Sequence, residues 1–245
     1  MKILISQQVP SNLAPYEILQ NRFGAELEFH LFFLIDPLSA KEFRAEHINL
    51  PDYTAIVFSS RHAIDAYFKL CEEMRFKVPE TMKYFCATEA VAMYLQKHIV
   101  YRKRKIFYGT GTPASVAALI TAKHKGEKFL ISTSENSANT VALTSLFDAA
   151  GLTYTVGILV KAVPQDLHAL DLSSYDLAVL CNPADVVSLH ENFPDFQQGN
   201  LKFISFGKAV VGSLEGAGYE IAFKAPTPEA TSISKAVEVY LQSQK

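Results

Sequence analysis

Ser6, Ser59, Ser60, Arg61, Thr88, Thr112, Ser132, Ser134, Asn182, Gly207, Lys208 and Thr227 all stand where a short apolar run gives way to a stretch of helical period. Hydroxyls, an amide, a glycine and two cations at such turns are hydrogen-bond donors. A helix beginning there adds unpaired backbone amides and the positive end of its dipole. The chemistry this set suits is the capture of anions. Plainer roles accompany it. Ser60, Thr112, Asn182 and Thr227 read as N-caps, each stabilising its helix by about 1 kcal/mol. Arg61 and Lys208 open helices, where the dipole disfavours a cation, and this favours a ligand role for them. The polar stretch 132–139 reads as an ordinary loop that is rich in hydroxyls.

Other chemistries find no support. The sequence has no GxSxG, HExxH or P-loop motif and no paired Cys/His ligands, so no metal or cofactor is expected and no catalytic side chain is named. Gly109-Thr110-Gly111-Thr112-Pro113-Ala114 fits G-x-G-x-x-A, but Pro113 removes an amide that a pyrophosphate needs. His62 and His190 fall inside helical stretches and read as surface or core. Cys71, Cys86 and Cys181 lack CxxC spacing and read as small buried hydrophobes of a reducing compartment. Arg102-Lys103-Arg104-Lys105 is the one dense basic run and reads as a solvated connector.

The elements that must position these residues alternate. Ile3–Ser6, Ala55–Phe58, Tyr84–Cys86, Ile106–Tyr108, Phe129–Ile131, Ala178–Cys181 and Phe203–Phe206 are apolar on both faces, as buried parallel strands are. Amphipathic stretches separate them: His62–Glu73, Glu89–Lys97, Ala114–Lys123, Thr140–Ala149, Ala184–Glu191, Ala209–Glu215 and Ala230–Gln242. Such alternation predicts an α/β fold, a parallel sheet with helices on both faces. Two longer stretches, Glu26–Ile35 and Leu152–Val163, are rich in β-branched and aromatic residues and end at Pro37 and Pro164. They read as strands connecting two lobes.

Two lobes are expected because the chain repeats. Lys2-Ile3-Leu4-Ile5-Ser6 returns as Lys128-Phe129-Leu130-Ile131-Ser132. The segment from Tyr53 returns from Tyr175, that from Lys83 returns from Lys202, and Thr112-Pro113 returns as Thr227-Pro228. Order is kept and the offset shrinks steadily, as in a tandem duplication. A cleft between two similar lobes is a common place for a small molecule. The 245 residues suffice for two ordinary domains, and 49% apolar content suffices for their cores. A net charge of −2 gives no electrostatic case for nucleic acid or an anionic membrane. The N-terminus lacks a signal-peptide pattern, and no run of 18 apolar residues occurs, so a cytoplasmic protein is expected. A two-lobed solute-binding protein fits the duplication but lacks the secretion signal of a periplasmic binder.

Laid out in this way, the chain resembles uroporphyrinogen-III synthase over essentially its whole length. The stretches that carry the resemblance are Asp52–Ile64, Met82–Val91, Ile204–Ala209 with Gly216 and Gly218, and Lys224–Ala230. Met82–Tyr94 and Tyr101–Phe107 resemble the form found in Bacteroidetes-type bacteria. The resemblance implies two doubly wound lobes joined by a two-stranded β ladder, with 1–35 plus 161–245 in one and 37–159 in the other. Each repeat then gives its opening strand to the other lobe. It implies cyclisation of hydroxymethylbilane, a linear tetrapyrrole with eight carboxylates, by loss of water and inversion of the last pyrrole ring. It also implies a monomer without cofactor, supplied by hydroxymethylbilane synthase. Three positions depart from the family pattern. Val160 stands where a Tyr is usual, Asn182-Pro183 replaces Ser-Pro, and Val210 replaces Thr. An inactive relative that binds a tetrapyrrole or another polyanion is the alternative expectation.

Overall fold

The computed structural model describes residues 1–134 and 137–244. In chain order the elements are β1 (Lys2–Ile5), α1 (Ala14–Phe23), β2 (Glu26–Phe29), β3 (Phe33–Pro37), α2 (Ala40–Ala45), β4 (Ala55–Phe58), α3 (Arg61–Glu73), β5 (Lys83–Cys86), α4 (Glu89–Tyr94), β6 (Ile106–Tyr108) and α5 (Pro113–Ala117). Then follow β7 (Lys128–Ser134), α6 (Ala138–Ala149), β8 (Thr153–Pro164), β9 (Leu177–Leu180), α7 (Pro183–Asn192), β10 (Lys202–Phe206), α8 (Lys208–Gly216), β11 (Ile221–Ala225) and α9 (Ile233–Ser243). The chain separates into two compact units, 1–34 with 163–245, and 35–162.

The first unit holds a five-stranded parallel sheet in the order β11-β10-β9-β1-β2. One face carries Ile3, Ile5, Val179 and Ile204 under α1 and α9. The other carries Leu4, Ala178, Leu180 and Phe203 with Val186 of α7 and Leu214 of α8. Both faces are covered, and this is why the strands are apolar throughout.

The second unit holds a six-stranded sheet in the order β3-β8-β7-β4-β5-β6. Its strands from β8 to β6 pair in parallel. β3 pairs antiparallel with β8: Leu38 N donates to Leu159 O, and Gln165 N donates to Phe32 O. One face packs Phe58, Tyr67, Tyr84 and Leu95, and the other packs Phe85, Phe129 and Phe147. Edge-on ring contacts at 5.4 and 5.2 Å run from Phe85 to Phe129 and on to Phe147.

Strand by strand, β11-β10-β9-β1-β2 and β6-β5-β4-β7-β8 match the two halves of the sequence repeat. β1 starts the first repeat but pairs with β9 of the second, and β7 starts the second but pairs with β4 of the first. The exchange of opening strands is therefore real.

Some expectations are corrected. Glu26–Ile35 is not one strand. It breaks into β2 and β3, which lie in different sheets. The break falls at Phe32, whose side chain is buried in the first unit's core and whose carbonyl accepts from Ser188 Oγ and Gln165 N. Burial of the Phe32 ring and the Ser188 hydroxyl fix the chain there, and the Gln165 bond begins the antiparallel pairing with β8. The helix expected from Ala230 starts at Ile233, capped by Ser232 rather than Thr227. Thr227 Oγ1 instead accepts from Ala230 N at 3.1 Å within a tight turn. The loop expected over 132–139 is strand to Ser134 and helix from Ala138, while residues 135 and 136 lie outside the described residues.

Phe85 is fully buried at the centre of the aromatic chain. Phe85→Ala is expected to destabilise the protein by about 3–5 kcal/mol. Urea unfolding checks this, and a loss under about 1 kcal/mol would contradict the packing described.

Candidate functional site

Parallel strands put all their carboxyl ends on one edge, so the helices that follow begin there. In the second unit this edge carries a cavity of about 320 Å³. Ser59, Thr88, Thr112 and Ser132, four of the residues singled out from sequence, line it together with Ser137, Asn139 and Thr140. Ser60, Thr88 and Thr112 cap α3, α4 and α5, accepting from Ala63 N, Val91 N and Ser115 N at 3.2–3.3 Å. Each cap satisfies one amide and leaves the earlier amides of its helix without an intrahelical partner. Ser132 is buried and its Oγ donates to Val57 O at 2.6 Å. Thr133 and Thr140 share a hydrogen bond of 2.7 Å between hydroxyls. Ser134 ends β7 and does not line the cavity.

Arg61 is exposed at the first position of α3, its guanidinium 5.5 Å from the centre of the Tyr94 ring. It forms no ion pair among the described residues. His62 beside it is exposed, and His190 Nε2 lies 2.6 Å from Tyr219 Oη, so both are surface groups.

Ser115 escaped notice in the sequence. Its Oγ accepts from Thr110 N and Thr112 N and donates to Thr112 O, tying the β6–α5 turn. Gly109 permits this, because a Cβ there would lie 2.4 Å from that oxygen.

The edge of the first unit is built differently. Ser6, Asn182, Gly207 with Lys208, and Thr227 follow β1, β9, β10 and β11 in turn. Asn182 caps α7, and Asp185 reaches back to form a capping box. Asp185 is 0% exposed. Its Oδ2 accepts from Ser6 Oγ at 2.6 Å, Cys181 N at 2.8 Å and Asn182 N at 2.9 Å. Its Oδ1 and the Oγ of buried Ser205 have no partner among the described residues. Burial raises the Asp185 carboxyl to about 6, against the lowering pull of its three donors. The Asn-Pro-Ala-Asp spacing was a readable signal for this box.

The neighbouring turn is open. Gly207 is the N-cap of α8, with φ +128°, and no side chain caps that helix. Lys208 is exposed and in no ion pair among the described residues. The free amides of α8 and the Lys208 ammonium therefore face solvent without an internal anion.

Cys71 and Cys86 are buried and Cys181 is half-buried, a small correction for the third. Burial pushes each thiol up to about 12, so none is a nucleophile at neutral pH. No cluster of three or more His, Cys, Asp or Glu suited to a metal occurs among the described residues. None of the described helices is long and apolar enough to cross a membrane.

A family model for uroporphyrinogen-III synthase HemD matches residues 32–235, most of the chain. The chain belongs to the uroporphyrinogen-III synthase family. No curated protein sequence matches it significantly. Among solved structures it is similar to a mutant uroporphyrinogen III synthase from Thermus thermophilus, with 11% identity, 99% of each chain covered and a TM-score of 0.53. It is also similar to uroporphyrinogen-III synthetase from Helicobacter pylori 26695, with 14% identity, 99% of each chain covered and a TM-score of 0.57. At such identity the likeness is one of fold.

Val160 and Val210, where the resemblance led us to expect Tyr and Thr, lie inside. Val160 is 5% exposed in the second unit's core, and Val210 is 1% exposed in the first unit's core.

The folded chain holds the Asp185 proton up to about pH 6, whereas an ordinary Asp holds it to 3.8. Between those values the folded state binds more protons than the unfolded state, so stability falls as pH rises. Asp185→Asn is expected to gain roughly 2–3 kcal/mol on wild type between pH 4 and pH 7. Urea titrations at both pH values measure it. No relative gain would mean that the donors hold the carboxyl as an anion.

Proposed function

We propose that this protein is an active uroporphyrinogen-III synthase. Its substrate is then hydroxymethylbilane, which loses its hydroxyl as water, inverts its last pyrrole ring and closes to uroporphyrinogen III. The observation that carries this reading is the gathering of Ser59, Thr88, Thr112 and Ser132 around one cavity in a chain of this family.

The chemistry asks little of a nucleophile. Departure of the hydroxyl from the bilane, as water, leaves an azafulvene-like cation that closes unaided to the symmetric isomer. The protein has to hold the chain so that the last ring is attacked in the inverted sense, and to keep water from the cation. Orientation can come from hydrogen bonds to the substrate's carboxylates. The second unit offers hydroxyls and helix amides, and the first offers the uncapped α8 with Lys208. Arg61 adds a second unpaired cation. The substrate's supplier by this reading is hydroxymethylbilane synthase.

The deciding experiment generates hydroxymethylbilane in situ, adds this protein, oxidises the products and separates isomers I and III. Isomer III above the protein-free control is expected. Isomer I alone from folded protein would leave an inactive binder as the better description. Ser60→Ala and Thr227→Ala are each expected to lower kcat/KM about tenfold, the worth of one hydrogen bond to a charged group. His62→Ala is expected to change it less than about twofold. Complete loss from His62→Ala would overturn the orientation mechanism.

A further inference from the structure

The six-stranded sheet has a second concavity, at the opposite end of its strands. The polar cavity touches Ala87 and Thr88, which follow β5, whereas this one touches Tyr84 near the start of β5 and Ile106 at the start of β6. Its volume is about 220 Å³. That is below the usual range for drug-sized ligands, about 300 Å³ upward, and suits a single ring or a short branched chain.

The walls are apolar: Val78, Ile99, Val100 and Ile106. Val100 is 78% exposed, an aliphatic side chain left in water at the mouth. Tyr84 is 4% exposed, stacked on Phe58 with ring centres 6.3 Å apart. Its hydroxyl makes no hydrogen bond among the described residues. Its oxygen is not among the fully buried atoms that lack a partner, so it meets the cavity and is free to donate to a ligand there. Burial raises its pKa, with Cys71 adding to the rise, so it stays protonated.

The rim is cationic. Arg102 meets Glu80 at 3.3 Å, with side chains 42% and 83% exposed. So exposed a pair is weak and gives way to a competing carboxylate. Lys105 also lines the cavity and forms no ion pair among the described residues. One positive charge is therefore left over at the mouth, and Lys103 and Arg104 stand exposed beside it. The basic run that read as a mere connector borders a built pocket.

We propose that this pocket is a second ligand site, which takes a small apolar carboxylate: the hydrocarbon body against Val78, Ile99 and Val100, the carboxylate on Lys105 and Arg102, with Tyr84 donating to it. A linear tetrapyrrole is far too large for it, so the site is separate from the proposed cyclisation.

The probe is phenylacetate, titrated into the ¹⁵N-labelled full chain and followed by amide chemical shifts. Saturable shifts are expected at residues 78–84 and 99–106. Phenylacetamide, the uncharged counterpart, is expected to bind at least about fivefold more weakly, and Lys105→Ala to weaken phenylacetate about fivefold. Val100→Glu, at an exposed position, is expected to abolish binding while melting temperature and isomer III yield stay at wild-type values. No saturable shift, equal binding of acid and amide, shifts confined to 87–88 and 111–112, or unchanged affinity in both variants would each overturn the proposal.

Discussion

The pairing of β1 with β9, and of β7 with β4, is the constraint on which the rest depends. In each case the first strand of one repeat completes the sheet begun by the other. Because the pairing is parallel, it puts Ser6 beside the turn after β9, and Ser132 beside the turn after β4. The helices that leave those turns point their N-termini the same way. An antiparallel partner at either place would send its hydroxyl to the far end of the sheet. The polar edges thus follow from strand direction, before any particular side chain is considered.

Equivalent positions in the two repeats have drifted apart. Ser132 Oγ donates to the carbonyl of Val57, while Ser6, its counterpart, donates to Asp185. Where Asp185 stands, the other repeat has Ala63. One edge therefore has no buried carboxyl drawing on its donors among the described residues. The other carries its own carboxyl, which takes up the amides of Cys181 and Asn182 and withholds them from an incoming anion. For a ligand bearing many carboxylates, the first unit's useful donors shift to the uncapped α8, where Gly207 brings no side chain and Lys208 brings charge.

Much of this was legible in the residues. Both-face apolar runs marked seven strands, since a buried parallel strand admits few polar groups. The repeat disclosed the exchange of strands. The break at His30-Leu31-Phe32 was not legible, because it depends on the tertiary burial of the Phe32 ring and on Ser188 bonding to its carbonyl, in an otherwise strand-like run. α1 was missed because its apolar residues follow no clear helical stripe, and β11 because Ile221-Ala222-Phe223-Lys224-Ala225 alternates as an edge strand does. Thr227-Pro228 misled for a physical reason: a hydroxyl three residues before a free amide serves a tight turn as well as a helix start. Of the twelve residues singled out, Ser59, Thr88, Thr112 and Ser132 share one cavity. Asp185 went unseen because a carboxyl one turn into a helix reads as solvated.

The discontinuity of the first unit bears on how the chain matures. Residues 35–162 are contiguous and can collapse once they have left the ribosome. Residues 1–34 emerge first, yet β1 lacks its neighbour β9 until residues 177–180 have been made. Throughout that interval a fully apolar strand, Ile3-Leu4-Ile5, has an open edge and lacks the cover that α7, α8 and α9 later give it. The oldest segment of the nascent protein is thus the last to find shelter, and chaperone occupancy on it should persist well past the synthesis of the segment that folds ahead of it.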